Sequence, residues 1–398
     1  MKNVVLGVTG SIAAYKACNI VSKLKKNAEI NVDVIMTKSA QKLVAPATFQ
    51  TLSKNPVNTE VFQEYNYAEV NHIALAKKAD IFVVAPATAN IIAKLANGIC
   101  DDMLTTVALA TKAPIVIAPA MNTVMFENTA TQENLDTLRK RGAVIIEPDC
   151  GKLACEDVGR GKLAEVDKIV DQIEYMLYKA DILSGKKVLV TAGPTIEDID
   201  PVRYITNRST GKMGYALAYQ AAIYGAEVTL VSGKTQLKPP EGISKFISVR
   251  SAQDMYEAVI DSFDAQDIVI KSAAVADYTP ALFSEHKMKK SDEDLAIKLS
   301  RTKDILKELG KKKTHQLLVG FAAETDDIEN YALRKLKEKN LDMIAANNVS
   351  DKKIGFSSDN NAIILFTRNG SKIPLKLKSK QEIAKEILNV LIDEFIKN

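Results

Sequence analysis

Residues 3–36, NVVLGVTGSIAAYKACNIVSKLKKNAEINVDVIM, decide how the chain folds. The apolar run NVVLGVTGS ends in small and hydroxyl residues and passes straight into a helical period, IAAYKACNIVSKLKK. A second apolar run, INVDVIM, follows at the spacing of a βαβ unit. Three later runs, ADIFVVAPATAN (79–90), APIVIAPAMN (113–122) and AVIIEP (143–148), extend the pattern. Their apolar residues are continuous rather than alternating, as in parallel strands buried on both faces. In such sheets ligands gather beyond the carboxyl ends of the strands, where Gly10-Ser11, Pro86 to Asn90 and Pro119 to Asn122 fall.

The grammar then restarts. After an amphipathic helix, VDKIVDQIEYMLYKA (166–180), the polar turn DILSGK (181–186) leads into KKVLVTAGPT, again a strand ending at a glycine turn. STGKMGYALAYQAAIYG supplies the helix and AEVTLVSG the next strand. Further buried strands are expected at DIVIKSAA, QLLVGFAA and LDMIAAN, a hairpin at Asn369-Gly370, and a closing amphipathic helix over 380–398. Both halves are therefore α/β, with a boundary near 180–186.

Composition agrees with that division. At 398 residues, 46% of them hydrophobic, the chain is long enough for two domains with separate cores. Fifty-three basic against 49 acidic residues leave a net charge of +4, too weak a bias to argue for nucleic acid, while acidic small molecules remain open. The N-terminal MKNVVLGVTGS lacks the long apolar core of a secretory signal, and no run is long enough to span a bilayer, so no membrane contact and a cytoplasmic location are expected. Cys18, Cys100, Cys150 and Cys155 do not form a disulfide framework or a zinc-binding pattern. Cys150 and Cys155 are close enough to raise a redox pair as an alternative.

Two short motifs are discarded. SGKT (232–235) would need a glycine at Val228 to cradle phosphates, and GRG (159–161) has Ala164 where a dinucleotide fingerprint needs its third glycine. In GVTGSIAAYK, Gly7, Gly10 and Ser11 are placed at a strand-to-helix turn, where backbone N–H groups and the helix dipole favour an anion; tight turning alone would also explain them. His72 stands near a helix start with Asn71 read as the cap, and histidine is the side chain best poised to exchange protons near neutral pH. Cys155, in KLACEDVGRGKLAE (152–165), lies among charges and glycines where no helical or strand period would bury it, in what reads as a mobile loop.

GVTGSIAAYK, NHI, PATAN, PAMN and LACEDVGRGK occur in the order seen in flavin-dependent cysteine decarboxylases. ITNRSTGKMG, KSAAVADY, HKMKK and GFAAET follow in the second half. Together the chain resembles, over essentially its whole length, the bifunctional phosphopantothenoylcysteine decarboxylase and phosphopantothenate–cysteine ligase family of coenzyme A synthesis. The resemblance implies a flavodoxin-like or Rossmann-like flavoprotein domain over 1–180 and a second Rossmann-like ligase domain over 186–398.

For the first half it implies FMN as electron sink, so that the electrons left by departing carbon dioxide have a conjugated sulfur to enter. His72 would act in oxidation and decarboxylation, Asn122 would hold the departing carboxylate, and Cys155 would protonate the enethiol from a flap that closes over the substrate. Gly10, Ser11, Thr88 and Asn90 would contact FMN. Two residues depart from the family: Glu156 follows the cysteine where glycine is common, which should keep the thiol protonated, and Phe126 replaces a frequent tryptophan, which should alter packing rather than chemistry.

For the second half the resemblance implies that CTP and Mg²⁺ convert 4′-phosphopantothenate to an acyl-cytidylate, which cysteine then attacks. Asn207 would attend that intermediate, with Arg203 and Lys289 on substrate. Lys287 leads the triphosphate contacts, and Asp277, Phe321, Lys335 and Lys339 match further nucleotide positions, the last two at i and i+4 of an expected helix. The metal ligands are left unassigned. The family further implies trimeric decarboxylase contacts and dimeric ligase contacts, which together build a dodecamer. A scaffold without decarboxylase activity and an NAD(P)-dependent oxidoreductase using Cys150 and Cys155 are the competing readings; the absent dinucleotide fingerprint weakens the second.

Overall fold

The computed structural model describes residues 1–62, 70–152, 158–288, 296–324, 327–348 and 358–397. The chain divides into two compact units, Met1–Tyr178 and Lys179–Asn398.

The first unit begins β1 (Lys2–Val8), α1 (Ala14–Leu24), β2 (Ile30–Met36), α2 (Lys38–Gln41), α3 (Pro46–Ser53), β3 (Val57–Asn58), α4 (Asn71–Lys78), β4 (Ile81–Ala87) and α5 (Ala89–Asn97). It continues α6 (Met103–Ala110), β5 (Ile115–Pro119), α7 (Thr123–Glu127), α8 (Thr129–Lys140), β6 (Val144–Ile145), β7 (Asp149–Lys152), β8 (Val158–Lys162) and α9 (Val166–Tyr178). Among the described residues six strands form one parallel sheet in the order β3-β2-β1-β4-β5-β6. This is a doubly wound arrangement whose order reverses between β1 and β4. The expected unbroken burial is present: every residue of β4 is buried, as are the last five of β1. Helices pack a separate apolar cluster onto each face of the sheet.

Three local expectations change. Gly7 lies inside β1, not at the turn, and a Cβ there would stand 2.6 Å from Leu104 Cδ1, so its role is to admit α6 against the sheet. Asn71 is the first residue of α4 and not its cap; Val70 occupies that position, and Asn71 Nδ2 instead donates to Asn58 Oδ1 of β3 at 2.8 Å. The flanks of the stretch read as a mobile loop are strands: β7 and β8 pair antiparallel, from Asp149–Lys162 to Lys152–Val158. The GRG triplet lies within β8.

The second unit runs β9 (Lys187–Ala192), β10 (Ile196–Asp198), β11 (Tyr204–Thr206), α10 (Lys212–Ile223), β12 (Glu227–Ser232), β13 (Lys245–Ser248), α11 (Ala252–Phe263), β14 (Ile268–Lys271) and β15 (Tyr278–Pro280). Then come β16 (Leu299–Arg301), α12 (Ile305–Lys312), β17 (Leu317–Glu324), α13 (Ile328–Glu338), β18 (Met343–Asn348), β19 (Asn360–Thr367), β20 (Lys372–Ser379) and α14 (Lys380–Phe395). Among the described residues its sheet has the order β13-β12-β9-β14-β17-β18-β19-β20. Pairing is parallel from β13 to β18 and antiparallel in the last two steps. The β19–β20 hairpin turns at Gly370, whose φ of +89° suits glycine. The turn 181–186 is not a free linker: Leu183 is fully buried and its amide donates to the Tyr224 carbonyl at 2.7 Å.

Candidate functional sites at two sheet switch points

In the first unit the reversal between β1 and β4 opens a cavity of about 1180 Å³. Its wall includes Gly10, Ser11, Thr88, Asn90 and Asn122, so five of the residues singled out in the sequence meet there. The floor is held by Thr9, which the sequence reading passed over. Its buried hydroxyl donates to the Pro86 carbonyl at 2.7 Å and accepts from Thr88 N at 3.1 Å, tying the ends of the two reversing strands together. Ser11 precedes α1, whose cap Ala13 offers no side-chain bond and whose first turn carries no acidic residue. At that terminus Ala13 N donates to Ser11 Oγ at 3.4 Å, Ala14 N to the Ser11 carbonyl at 2.8 Å and Lys16 N to the Ala13 carbonyl at 2.9 Å, so it is the helix dipole that favours an anion in the cavity. Gly10 meets a constraint of its own: a Cβ there would stand 2.4 Å from Ser39 Cβ.

Thr88 caps α5, its hydroxyl accepting from Ile91 N at 3.4 Å, and Asn90 is exposed on the helix's first turn. Asn122 caps α7 with Oδ1 accepting from Val124 N at 2.8 Å, which fixes the side chain at the cavity wall. The β7–β8 ribbon reaches this wall. Met121 N donates to the Gly161 carbonyl at 3.0 Å, and a Cβ on Gly161, at φ +128°, would stand 2.5 Å from the Met121 carbonyl oxygen. A Cβ on Gly159 would likewise stand 2.7 Å from Thr123. The two glycines of GRG thus let the ribbon lie against the PAMN segment. Phe126 is buried in the core with Arg160 of the ribbon 5.3 Å over its ring, a packing role as expected. Cys155 and Glu156, which lie between the ribbon strands in sequence, fall outside the described residues, and so the Cys150–Cys155 pair is not described; Cys150 is an exposed free thiol.

His72 is not among the residues lining the cavity. It lies on α4, with Nδ1 buried and without a hydrogen-bond partner. The cavity rim carries large exposed apolar side chains, with Ile12 63%, Tyr15 58% and Phe62 94% accessible.

In the second unit the reversal falls between β9 and β14. Beyond these strands Ala274 N donates to the Gly193 carbonyl at 3.0 Å, and Asn207 Nδ2 donates to the Ala274 carbonyl at 3.0 Å. Asn207 is thereby fixed over the switch point. Arg203, expected on substrate, holds a buried carboxylate: Nε and Nη2 reach Asp200 Oδ2 at 2.9 and 2.6 Å, and Nη2 also donates to the Met288 carbonyl at 2.9 Å. Met288 N donates to the same Asp200 oxygen at 3.2 Å. Asp200, absent from the sequence reading, therefore anchors the segment that presents exposed Lys287; the Arg203 guanidinium beside it and backbone donors hold its carboxyl well below the usual carboxylate range. Lys289 and Lys290 lie outside the described residues.

The remaining nucleotide positions converge at the neighbouring strand ends. Phe321 lies on β17. Exposed Asp277 follows β14, its carbonyl accepting from Thr302 N at 3.0 Å. Lys335 is on α13, and Lys339 is the C-cap of that helix rather than a residue within it, its Nζ 2.9 Å from Asp304 Oδ2. Among the described residues no group of three or more His, Cys, Asp or Glu side chains could hold a metal ion, and no helix is long and apolar enough to cross a membrane.

Comparison with known proteins gives a family for each half of the chain. Residues 1–177 match the family model "Flavoprotein", and residues 183–395 match "DNA/pantothenate metabolism flavoprotein C-terminal domain". The chain is similar to the "Coenzyme A biosynthesis bifunctional protein CoaBC" of Bacillus subtilis (strain 168), 53% identical over 97% of this chain and 96% of that protein. The protein of the same name from Haemophilus influenzae is 44% identical over 100% of this chain and 98% of its own. A solved C-terminal domain of such a protein is 46% identical, covers 55% of this chain and 100% of its own, and superposes with a TM-score of 0.48.

Proposed function

The chain belongs to the family of bifunctional coenzyme A biosynthesis proteins, and from that premise we propose which of its residues carry the two reactions. The activities are CTP-dependent ligation of 4′-phosphopantothenate with cysteine and FMN-dependent decarboxylation of the product to 4′-phosphopantetheine. We assign decarboxylation to residues 1–180 and ligation to residues 186–398.

The observation that carries the first assignment is the gathering of Gly10, Ser11, Thr88, Asn90 and Asn122 around one cavity at a sheet reversal. Such a site fits a phosphorylated flavin, because the positive end of the α1 dipole meets an anion there with no opposing carboxylate in its first turn. When bound, FMN supplies the two-electron oxidation that turns the substrate's sulfur end into an electron sink. Asn122, locked by its cap bond, holds the substrate carboxylate at the wall. His72 exchanges a proton during the early half of the reaction, and Cys155 delivers one to the enethiol carbon in the late half.

We infer that a second subunit completes the site, a reading supported by His72 lying off the described cavity wall of its own chain and by the exposed apolar rim. Trimeric contacts through the first half and dimeric contacts through the second give a dodecamer. Mixing His72→Asn protomers with Asn122→Asp protomers should then restore part of the decarboxylase activity that each lacks; no restoration would place His72 and Asn122 in the same chain's site.

In the second half Asn207 attends the acyl-cytidylate over the switch point, and Lys287 with Lys289 neutralises phosphate charge as pyrophosphate leaves. Arg203 and Asp200 position that lysine segment. Mg²⁺ would be carried by the oxygens of the triphosphate, where it would offset phosphate charge beside Lys287 and Lys289. The location is cytoplasmic, and nucleic acid and membrane are not partners.

The test is mass spectrometry of products from the purified chain with 4′-phosphopantothenate, cysteine, CTP and Mg²⁺. Conversion to 4′-phosphopantetheine is expected. Stopping at the cysteine adduct would favour a scaffold role for the first half, and no adduct would refute the ligase assignment.

A further inference from the structure

Thr195 lies in the turn after β9, fully buried, and its three polar groups reach two other segments of the second unit. Its hydroxyl accepts from Ala276 N at 3.0 Å, its amide donates to the Ala274 carbonyl at 3.3 Å, and its carbonyl accepts from Thr206 Oγ1 at 2.7 Å. These bonds continue the seam where β9 and β14 part. Just before them Thr191 Oγ1 accepts from Ala273 N at 3.2 Å, and Pro194 and Ala274 form an isolated parallel bridge.

Each end of the seam leads to a residue assigned above to ligation. The Ala276 residue is held from both sides, its N–H by the Thr195 hydroxyl and its carbonyl by Thr302 Oγ1 at 2.7 Å. Ala276 is buried and the next residue, Asp277, is exposed, so the clamp sets the point from which Asp277 leaves the core. On the other side Thr206, bonded to the Thr195 carbonyl, precedes Asn207, whose Nδ2 shares the Ala274 carbonyl with Thr195 N. Ala276 N lies past the end of β14, beyond the sheet ladder, and takes a side-chain hydroxyl as its acceptor; without it a buried donor is stranded. Threonine suits the task because its branched side chain is stiff at χ1 and keeps the hydroxyl aimed.

We propose that Thr195 is a positioning residue for ligation, its hydroxyl setting Asp277 through Ala276 and its carbonyl setting Asn207 through Thr206, so that one turn keeps the nucleotide contact and the acyl-cytidylate contact in register. The proposal rests on the assignment of Asp277 and Asn207 made above. Its consequence is that the two ties can be cut separately. Thr195→Val keeps the shape and the backbone bonds, and with them the seat of Asn207, but strands Ala276 N. Thr206→Val releases the Thr195 carbonyl and leaves the Ala276 bond in place. The first loss therefore falls on CTP affinity, about tenfold for one buried donor left without its acceptor. The second falls on turnover, also about tenfold, because Asn207 is displaced from the reacting carboxyl while the nucleotide still binds.

The experiment is calorimetric titration of the full chain with CTP, paired with the steady-state rate of ligation in the same preparations. Thr195→Val should bind CTP about tenfold more weakly, Thr206→Val should keep CTP affinity and lose turnover, and Thr195→Ser, which restores the hydroxyl, should recover most of the affinity. Should the valine variant fail to fold, Thr195→Cys, whose sulfur is a weak acceptor, takes its place. Unchanged CTP affinity in Thr195→Val would overturn the proposal. Equal loss in the valine and serine variants, or the same loss of affinity in the Thr195 and Thr206 variants, would reduce Thr195 to packing and overturn it as well. Asp277→Ala separates the two levels. If it leaves CTP binding intact, the assignment of Asp277 to the nucleotide is wrong and the proposal falls with it; if it weakens binding while Thr195→Val matches the unaltered chain, only the proposal for Thr195 fails.

Discussion

The Thr9 hydroxyl is buried to 2% exposure and makes two bonds, one as donor and one as acceptor, across the reversal of the first sheet. Thr9→Val keeps the shape and strands the Pro86 carbonyl and the Thr88 amide, so it should cost about 1–3 kcal/mol and weaken FMN binding. Urea unfolding and flavin fluorescence titration would check both, and unchanged flavin affinity would show that the floor does not shape the site. Asp200 makes a parallel case in the second unit. Its carboxyl is held below the unfolded value of 3.8, so the stabilisation is complete above about pH 4 and is lost only as the pH falls through the lower folded value. The lysine segment therefore stays tied wherever ligation runs. Asp200→Asn should cut ligation about tenfold or more by loosening Lys287, while decarboxylation of supplied 4′-phosphopantothenoylcysteine continues at the normal rate. Equal loss of both activities would mean general unfolding.

Among the elements, the long apolar strands and amphipathic helices were legible because burial on both faces leaves a continuous composition signal, and β2 falls at the INVDVIM stretch quoted from the sequence. The short ribbons were not. β10, β11, β15 and β16 are three residues each, and β7–β8 is glycine and charged residues apart from Cys150 and Val158, so neither alternation nor apolar content announces them. Their register comes from contacts remote in sequence, such as Met121 on Gly161. The same limit explains the site. Gly10, Thr88 and Asn122 could be found from their neighbours in sequence, whereas Thr9 and Asp200 matter through partners remote in sequence, Pro86 at a separation of 77 and Met288 at a separation of 88. Gly161→Ala tests the ribbon: its backbone conformation and the Met121 oxygen both oppose a side chain, at a local cost of about 1–3 kcal/mol. Decarboxylation should fall while circular dichroism and ligation stay unchanged; full decarboxylase activity would show that the ribbon's seat against PAMN is not needed.

For the whole molecule, each unit has its own apolar packing, two clusters of the first drawn from residues 4–177 and one of the second from 189–366, with Leu183, Ile387 and Leu391 of the second also fully buried. Separate cores imply that each activity can survive alone, provided the cut respects the packing. The sequence boundary leaves 181–185 between domains, because DILSGK is polar and turn-like. In the structure this segment serves the second unit: Ala180 N donates to the Ile223 carbonyl, Leu183 N to the Tyr224 carbonyl, and a Cβ on Gly225 would stand 2.8 Å from the Ala180 oxygen. A fragment beginning at Lys179 keeps Leu183 in its buried place, whereas one beginning at Lys186 loses it. The shorter fragment should be less stable by about 1.5–3 kcal/mol, the worth of one buried leucine, before counting the two backbone bonds. Urea unfolding of the two fragments measures the difference directly. Equal midpoints and slopes would mean that the segment contributes nothing to the second core and that the boundary belongs at 186.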